Sequence, residues 1–178
     1  MQTLLLFSHS YFKDSKINKA LLDEANKIEN VKIHNLNSVY PNGKIDINAE
    51  IALLEQSDRI IVQFPLFWYS CPSIFKEWQD EVLTALYSRS ASQKALKGKK
   101  IGFVITLGAQ TGDLLDSSEI LSKANGEKLN DVQSCLFSIT KSFETIGANP
   151  QIPFSIFDTH ESGFKLPVKE YLDYIKTF

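Results

Sequence analysis

Short apolar runs alternate along this chain with stretches whose apolar residues recur every three to four positions. Thr3 to Phe7 is a continuous apolar run without helical period, the pattern of a strand buried on both faces. Asp14 and Ser15 can cap a following helix, in which Ile17, Leu21, Ala25 and Ile28 share a face. Val31 to Leu36 reads as a second strand, of edge character because Lys32, His34 and Asn35 interrupt it. Pro41-Asn42-Gly43 marks a turn, Ile47 to Gln56 a short helix, and Arg59 to Phe64 a third strand. Ser73 is placed to cap a helix carrying Ile74, Phe75, Trp78, Val82 and Leu86 on one side. Lys100 to Leu107 is a fourth strand, Val132 to Ile146 a helix stopped by Gly147, Gln151 to Phe157 a fifth strand, and Pro167 to Phe178 a last helix. Ser88 to Lys94 and Gly108 to Asn130 read as loops, the second with a helical turn inside.

Strands alternating with helices, with no internal repeat, imply an α/β fold: a parallel sheet with helices on both faces. Five strands in one domain over 1–178 fit the flavodoxin-like three-layer sandwich, a five-stranded parallel sheet of order 2-1-3-4-5. Ligands of such sheets bind beyond the carboxyl ends of the strands at the topological switch point, here between strands one and three. That rule selects three loops: Ser8 to Asn18, Pro65 to Pro72, and Leu107 to Gly112.

Composition narrows the partners. A net charge of -2 offers no field to nucleic acid or an anionic membrane. The first residues, Met-Gln-Thr-Leu-Leu-Leu-Phe, lack a basic start and reach Ser8 and His9 at once, which argues against a secretory signal. Two cysteines, Cys71 and Cys135, form no metal spacing and no disulfide framework. The expectation is a cytoplasmic protein.

The three loops carry complementary chemistry. In the first, the helix N-terminus with Ser15 and Lys16 suits a phosphate, although an ordinary capped helix reads the same way. His9 could donate to such a ligand or stand by in the loop. In the second, Phe67, Trp68 and Tyr69 lie between Pro65 and Pro72, so they either meet a flat, partly apolar ligand or fill the seam between strand and helix. In the third, Thr106-Leu107-Gly108-Ala109-Gln110-Thr111-Gly112 offers small residues and backbone amides of the kind that stabilise negative charge developing on a ring. Together they describe a flavin mononucleotide. No Gly-x-x-x-x-Gly-Lys, Gly-x-Gly-x-x-Gly, His-Glu-x-x-His or Cys-x-x-Cys is present, which argues against nucleoside triphosphates, Rossmann-bound dinucleotides and metal sites. Pro65 stands where a receiver domain needs its acceptor aspartate. No arginine follows Cys71 at a spacing that binds phosphate, so it reads as a structural thiol.

The run Pro65-Leu66-Phe67-Trp68-Tyr69-Ser70-x-Pro72-x-x-Phe75-Lys76-x-Trp78-x-Asp80-x-Val82-Leu83 resembles the signature of the flavodoxin-like NAD(P)H:quinone oxidoreductases. His9, Ser15-x-x-Asn18, Tyr40-Pro41, Ile45-Asp46-Ile47 and Glu50 are similar to its short bacterial branch, which includes the ancillary flavoprotein of the glutathione-gated potassium efflux system. The resemblance implies a cytoplasmic homodimer with FMN in each site, FAD being less suited to so short a chain. It implies hydride transfer from NADPH or NADH to the flavin and then reduction of a quinone or similar acceptor, in a ping-pong scheme. By that resemblance Ser15, Lys16, Ile17 and Asn18 hold the phosphate beside His9. Pro65, Leu66, Phe67, Trp68 and Tyr69 lie along the ring, largely through their backbone, and Thr106, Leu107, Gly108 and Ala109 meet its far edge. A second reading is a flavin-binding regulatory subunit of a membrane transporter with little turnover. The chain departs from the pattern in three places. Leu107 and Ala109 replace the second Thr and second Gly of a Thr-Thr-Gly-Gly loop. Gln110 to Asp116 contains neither the Tyr nor the His that many relatives carry there, and Tyr87 to Lys94 stands in place of a Gly-rich segment.

Overall fold

The structure, a computed structural model, describes residues 1–88, 95–110 and 131–178. It contains the strands β1 (Thr3–Phe7), β2 (Val31–Asn35), β3 (Arg59–Pro65), β4 (Lys100–Thr106), β5 (Asn149–Pro150) and β6 (Phe154–Ile156). The longer helices are α1 (Lys16–Ala25), α3 (Ile47–Glu55), α6 (Asp131–Thr145) and α7 (Val168–Thr177). The short ones are α2 (Leu36–Val39), α4 (Ser73–Trp78) and α5 (Thr84–Ser88), the last two joined by a π turn, Gln79–Leu83. The sheet order is β2-β1-β3-β4-β5 with every pairing parallel, and β6 also pairs with β4. This is the expected topology.

Side chains of β1 alternate across the sheet and define two cores. Leu4 and Leu6 join Ile60, Val62, Phe64, Ile101, Phe103 and Ile105 on the face covered by α3, the α4–α5 helix and α6. Leu5 and Phe7 join Ile61, Val104 and Ile156 on the face covered by α1 and α7, through Leu21, Ala25, Tyr171 and Ile175. Burial on both faces is why β1, β3 and β4 read as continuous apolar runs.

Three boundaries differ from expectation, each for a local reason. Leu36 leaves the strand because the Asn35 side chain accepts from the amides of Asn37 and Ser38 and starts α2. The helix at Ser73 is preceded by Pro72 at its N-cap, with no side-chain cap hydrogen bond. Of the expected fifth strand, Gln151 to Phe157, only Phe154–Ile156 is strand, and a two-residue strand, Asn149–Pro150, precedes it, because Pro150 and Pro153 have no N–H to give to β4. The Ser88–Lys94 loop beyond Ser88, and the Gly108–Asn130 loop beyond Gln110, lie outside the described residues. No helix among the described residues is long and apolar enough to cross a membrane.

One buried polar cluster ties the layer beneath the aromatic loop. Glu50, 1% exposed, accepts from Tyr40 Oη at 2.5 Å and from Trp78 Nε1 at 2.7 Å, and lies 2.7 Å from His34 Nε2. Burial raises the Glu50 pKa, but the bonds from His34, Tyr40 and Trp78 outweigh it and hold the carboxyl below its usual range.

Candidate functional site

Register brings the three selected loops together. Phe7 is level with Gln63, and Pro65 with Thr106, so β1, β3 and β4 end side by side. Their loops wall a cavity of about 430 Å3.

The first loop makes one 3-10 turn, Phe12–Asp14, before Ser15 caps α1, its Oγ accepting from the Asn18 amide at 3.3 Å. Ser15, Lys16, Ile17, Asn18 and also Asp14 line the cavity at this helix N-terminus. His9 is fixed in one tautomer: its Nδ1 accepts from the Tyr11 amide at 3.0 Å, which leaves the proton on Nε2. Burial, and then the charge of Lys19, hold the His9 pKa below 6.5. The imidazole is therefore a neutral donor on the cavity wall.

The second loop is a two-residue reversal. Phe67 and Ser70 exchange both backbone hydrogen bonds at 2.8 Å, and Trp68 and Tyr69 between them have φ of 46° and 61°. Two positive values in succession are the requirement of a type I′ turn, which glycine and asparagine ordinarily supply. Holding two bulky aromatics there costs on the order of 1–2 kcal/mol each. The side chains are not recovered by packing: Trp68 is 90% exposed and Tyr69 62%. They do not fill the seam between strand and helix. Among the described residues the amides of Trp68 and Tyr69 make no backbone hydrogen bond. Phe67 turns inward, its ring 6.2 Å from His9 and 5.8 Å from Tyr11, which joins the first loop to the second.

The third loop is clamped to the segment after β6. Leu107 donates to the Ile156 carbonyl, its own carbonyl accepts from the amide and hydroxyl of Thr159, and Asp158 donates to the Ala109 carbonyl. The Leu107 side chain is 4% exposed and belongs to the core, so it does not crowd the cavity. Its amide is already used, which leaves that of Gly108 for a ligand. The clamp also delivers His160. A Cβ at position 108 would sit 2.1 Å from His160 Cδ2, so the ring occupies the space that a glycine leaves open.

Most of the expected residues thus meet at one cavity: His9, Ser15, Lys16, Ile17, Asn18, Pro65, Leu66, Phe67, Thr106, Leu107 and Gly108 line it. Trp68, Tyr69 and Ala109 do not. Tyr11, Asp14, Thr159 and His160 line it without having been expected. Cys71 lies elsewhere, along a groove between α4 and α6, and burial raises its thiol pKa, in keeping with an unreactive thiol.

A family model described as Flavodoxin-like fold matches residues 1–177. The chain belongs to the flavodoxin-like fold family. Among the members with curated descriptions, it is 36% identical over 113 residues to the uncharacterized NAD(P)H oxidoreductase YrkL of Bacillus subtilis, a match covering 64% of this chain and 65% of that one. It is 43% identical over 107 residues to the glutathione-regulated potassium-efflux system ancillary protein KefG of Cronobacter sakazakii, covering 60% and 58%. The matched stretches therefore span under two thirds of these relatives. Among solved structures, the general stress protein 14 of Treponema denticola, in complex with FMN, aligns with a TM-score of 0.81 at 30% identity, covering 99% of this chain and 97% of that one.

The unexpected residues of this flavodoxin-like site carried little signal. Thr159 and His160 sit in a polar stretch after a three-residue strand, and only the backbone clamp to Leu107 and Ala109 places them.

Proposed function

We propose that the chain binds FMN in this cavity and serves as an NAD(P)H-dependent oxidoreductase, passing two electrons to a quinone or similar acceptor by a ping-pong scheme in a cytoplasmic homodimer. The observation that carries the reading is the left-handed Trp68–Tyr69 turn that follows the cavity-lining run Pro65 to Phe67. It spends conformational energy to hold two backbone amides that make no hydrogen bond among the described residues, directly after Phe67, which lines the same cavity as the α1 N-terminus. The similarity over 99% of the chain to a protein in complex with FMN supports the choice of ligand.

The residues present suit that group. The first amides of α1 and the exposed Lys16 accept a phosphate, and the Ser15 hydroxyl stays on its capping bond. Asp14 at the same end opposes an anion, and Lys13, Lys16 and Lys19 outnumber it. His9 offers an Nε2–H donor without charge. Leu66 and Phe67 give the cavity an apolar wall. The Gly108 amide, with His160 beside it, forms the opposite edge. Bound FMN would supply the two-electron acceptor that no side chain here provides. The chain's own task is then to orient the ring, keep one face open for nicotinamide and acceptor in turn, and place donors where negative charge develops.

A second reading, an FMN-binding ancillary subunit of a membrane transporter, is favoured by the 43% identical match to KefG. Steady-state oxidation of NADPH and NADH by the FMN-loaded protein with a quinone separates the two. Turnover above about 1 per second, with parallel double-reciprocal lines, is expected for the oxidoreductase. Turnover far below that, with FMN bound, would favour the ancillary role.

A further inference from the structure

Beneath the cavity runs a chain of buried hydrogen bonds across four elements. Tyr171 on α7, 0% exposed, donates from its hydroxyl to Gln63 Oε1 at 2.9 Å. Gln63 on β3, also 0% exposed, donates from Nε2 to Asn18 Oδ1 at 3.4 Å. Asn18 on α1 donates from Nδ2 to Thr106 Oγ1 at 3.0 Å. Asn18 and Thr106 line the cavity; Gln63 and Tyr171 lie behind it.

Both amides could in principle be turned over, so the direction of the chain needs a cause. In the reversed chain, Thr106 donates to Asn18 Oδ1, Asn18 to Gln63 Oε1, and Gln63 to the phenol oxygen. Every link survives except that the Tyr171 O–H then has nothing to donate to among the described residues. An unpaired buried hydroxyl is costly, whereas the observed direction satisfies it. A phenol at the inner end therefore fixes both amides. It also fixes the outer end: Thr106 Oγ1 accepts from Asn18, so the Thr106 proton is not spent on Asn18 and is left to donate to an acceptor in the cavity that Thr106 lines.

We propose that Tyr171 is a positioning residue that sets the direction of this chain, so that the Thr106 hydroxyl presents a donor to an acceptor atom of the bound ligand. Resting on the FMN reading, this assigns a donor to the ligand's oxygen or ring-nitrogen acceptors at the end of β4. It also makes a residue of the last helix a determinant of affinity without contact.

The test is a double-mutant cycle read by FMN titration, with melting of the FMN-free protein recorded in parallel. Thr106→Val should weaken FMN binding about three- to tenfold, the worth of one net hydrogen bond, and Thr106→Ser should restore it. Tyr171→Phe should weaken binding at least about threefold in the wild-type background and change it by less than about 1.5-fold once Thr106 is valine. Any loss of melting temperature from Tyr171→Phe should persist in both backgrounds, because packing does not depend on the Thr106 hydroxyl. Tyr171→Phe binding FMN like wild type, or losing affinity equally in both backgrounds, would overturn the proposal. Should Tyr171→Phe fail to fold, Gln63→Met breaks the next link and is judged by the same two criteria.

A wild-type protein that takes up no FMN would sink the FMN reading alone. The chain is then tested without ligand, by the side-chain amide resonances of Asn18. One set in wild type that shifts or doubles in Tyr171→Phe supports the inference; identical sets in both overturn it.

Discussion

Glu50→Gln removes a charge and almost no volume, so it isolates the polar cluster under the aromatic loop. The carboxylate serves three groups, His34 Nε2, Tyr40 Oη and Trp78 Nε1, from a site 1% exposed. A glutamine carbonyl can accept from two of them, and its NH2 then faces the third. Two charge-assisted bonds become neutral ones, a loss of about 1 kcal/mol each, and one unmatched donor costs about 1–3 kcal/mol. The relief of no longer desolvating a carboxylate offsets part of this. A net loss of about 2–4 kcal/mol is expected, which in a domain of this size lowers Tm by about 2–4 °C per kcal/mol. Urea unfolding followed by tryptophan fluorescence measures it. The pH dependence adds a second check. The folded Glu50 pKa lies below its unfolded value of 4.5. Between the two the unfolded chain binds more protons, so the contribution is present above 4.5 and is lost as pH falls through the folded pKa. The gap between wild type and Glu50→Gln should therefore narrow below pH 4.5. A gap under about 0.5 kcal/mol at pH 7, or one that widens in acid, would refute the reasoning.

Three further outcomes follow from the site. Ser15→Asp keeps a good N-cap but adds a negative charge to the α1 N-terminus, so FMN affinity should fall at low salt while the melting temperature of the FMN-free protein holds; unchanged affinity would remove Ser15 from the site. Gly108→Ala should push the His160 ring outward at little cost in stability, since the atom it meets belongs to an exposed, rotatable side chain; a Tm loss above about 5 °C would mean that the ring cannot move. His9, with its pKa held below 6.5 by burial first and Lys19 second, should take up its proton at a lower pH than a free histidine. The unfolded chain takes up the proton first, so this stabilising contribution is intact above about pH 6.5 and declines as pH falls toward the folded value. His9→Gln, which cannot titrate, should lack that limb of the pH–stability profile, and a profile identical to wild type would contradict the assignment.

What the residues disclosed follows the range of the forces. β1, β3 and β4 are legible because burial on both faces leaves no polar residue in their interiors except Gln63, whose place in a buried chain explains the exception. Ser15 is legible because capping acts over three residues. Asn35 acts over as short a range, but its bonds to residues 37 and 38 compete with strand pairing and win, which the apolar count through Leu36 does not show. The partners of Glu50 stand at positions 34, 40 and 78, and only the folded register unites them. The aromatic loop shows the limit most clearly. Three adjacent aromatics suggest a ligand-facing loop or a filled seam, yet the structure turns only Phe67 inward and leaves Trp68 and Tyr69 exposed, because the turn's hydrogen bonds hold the backbone in a left-handed conformation at both. His160 was hidden for the opposite reason: its ring reaches the cavity through a glycine gap and a backbone clamp, neither of which marks the residue itself.

The central claim is that this cavity holds FMN, and the visible spectrum of the purified protein, followed by release and identification of any chromophore, tests it most directly. Stoichiometric FMN, or tight uptake of added FMN by colourless protein with quenching of the flavin fluorescence, is the result expected. A colourless protein that leaves added FMN free at concentrations of about 100 μM, a binding free energy weaker than about -5.5 kcal/mol, would contradict it.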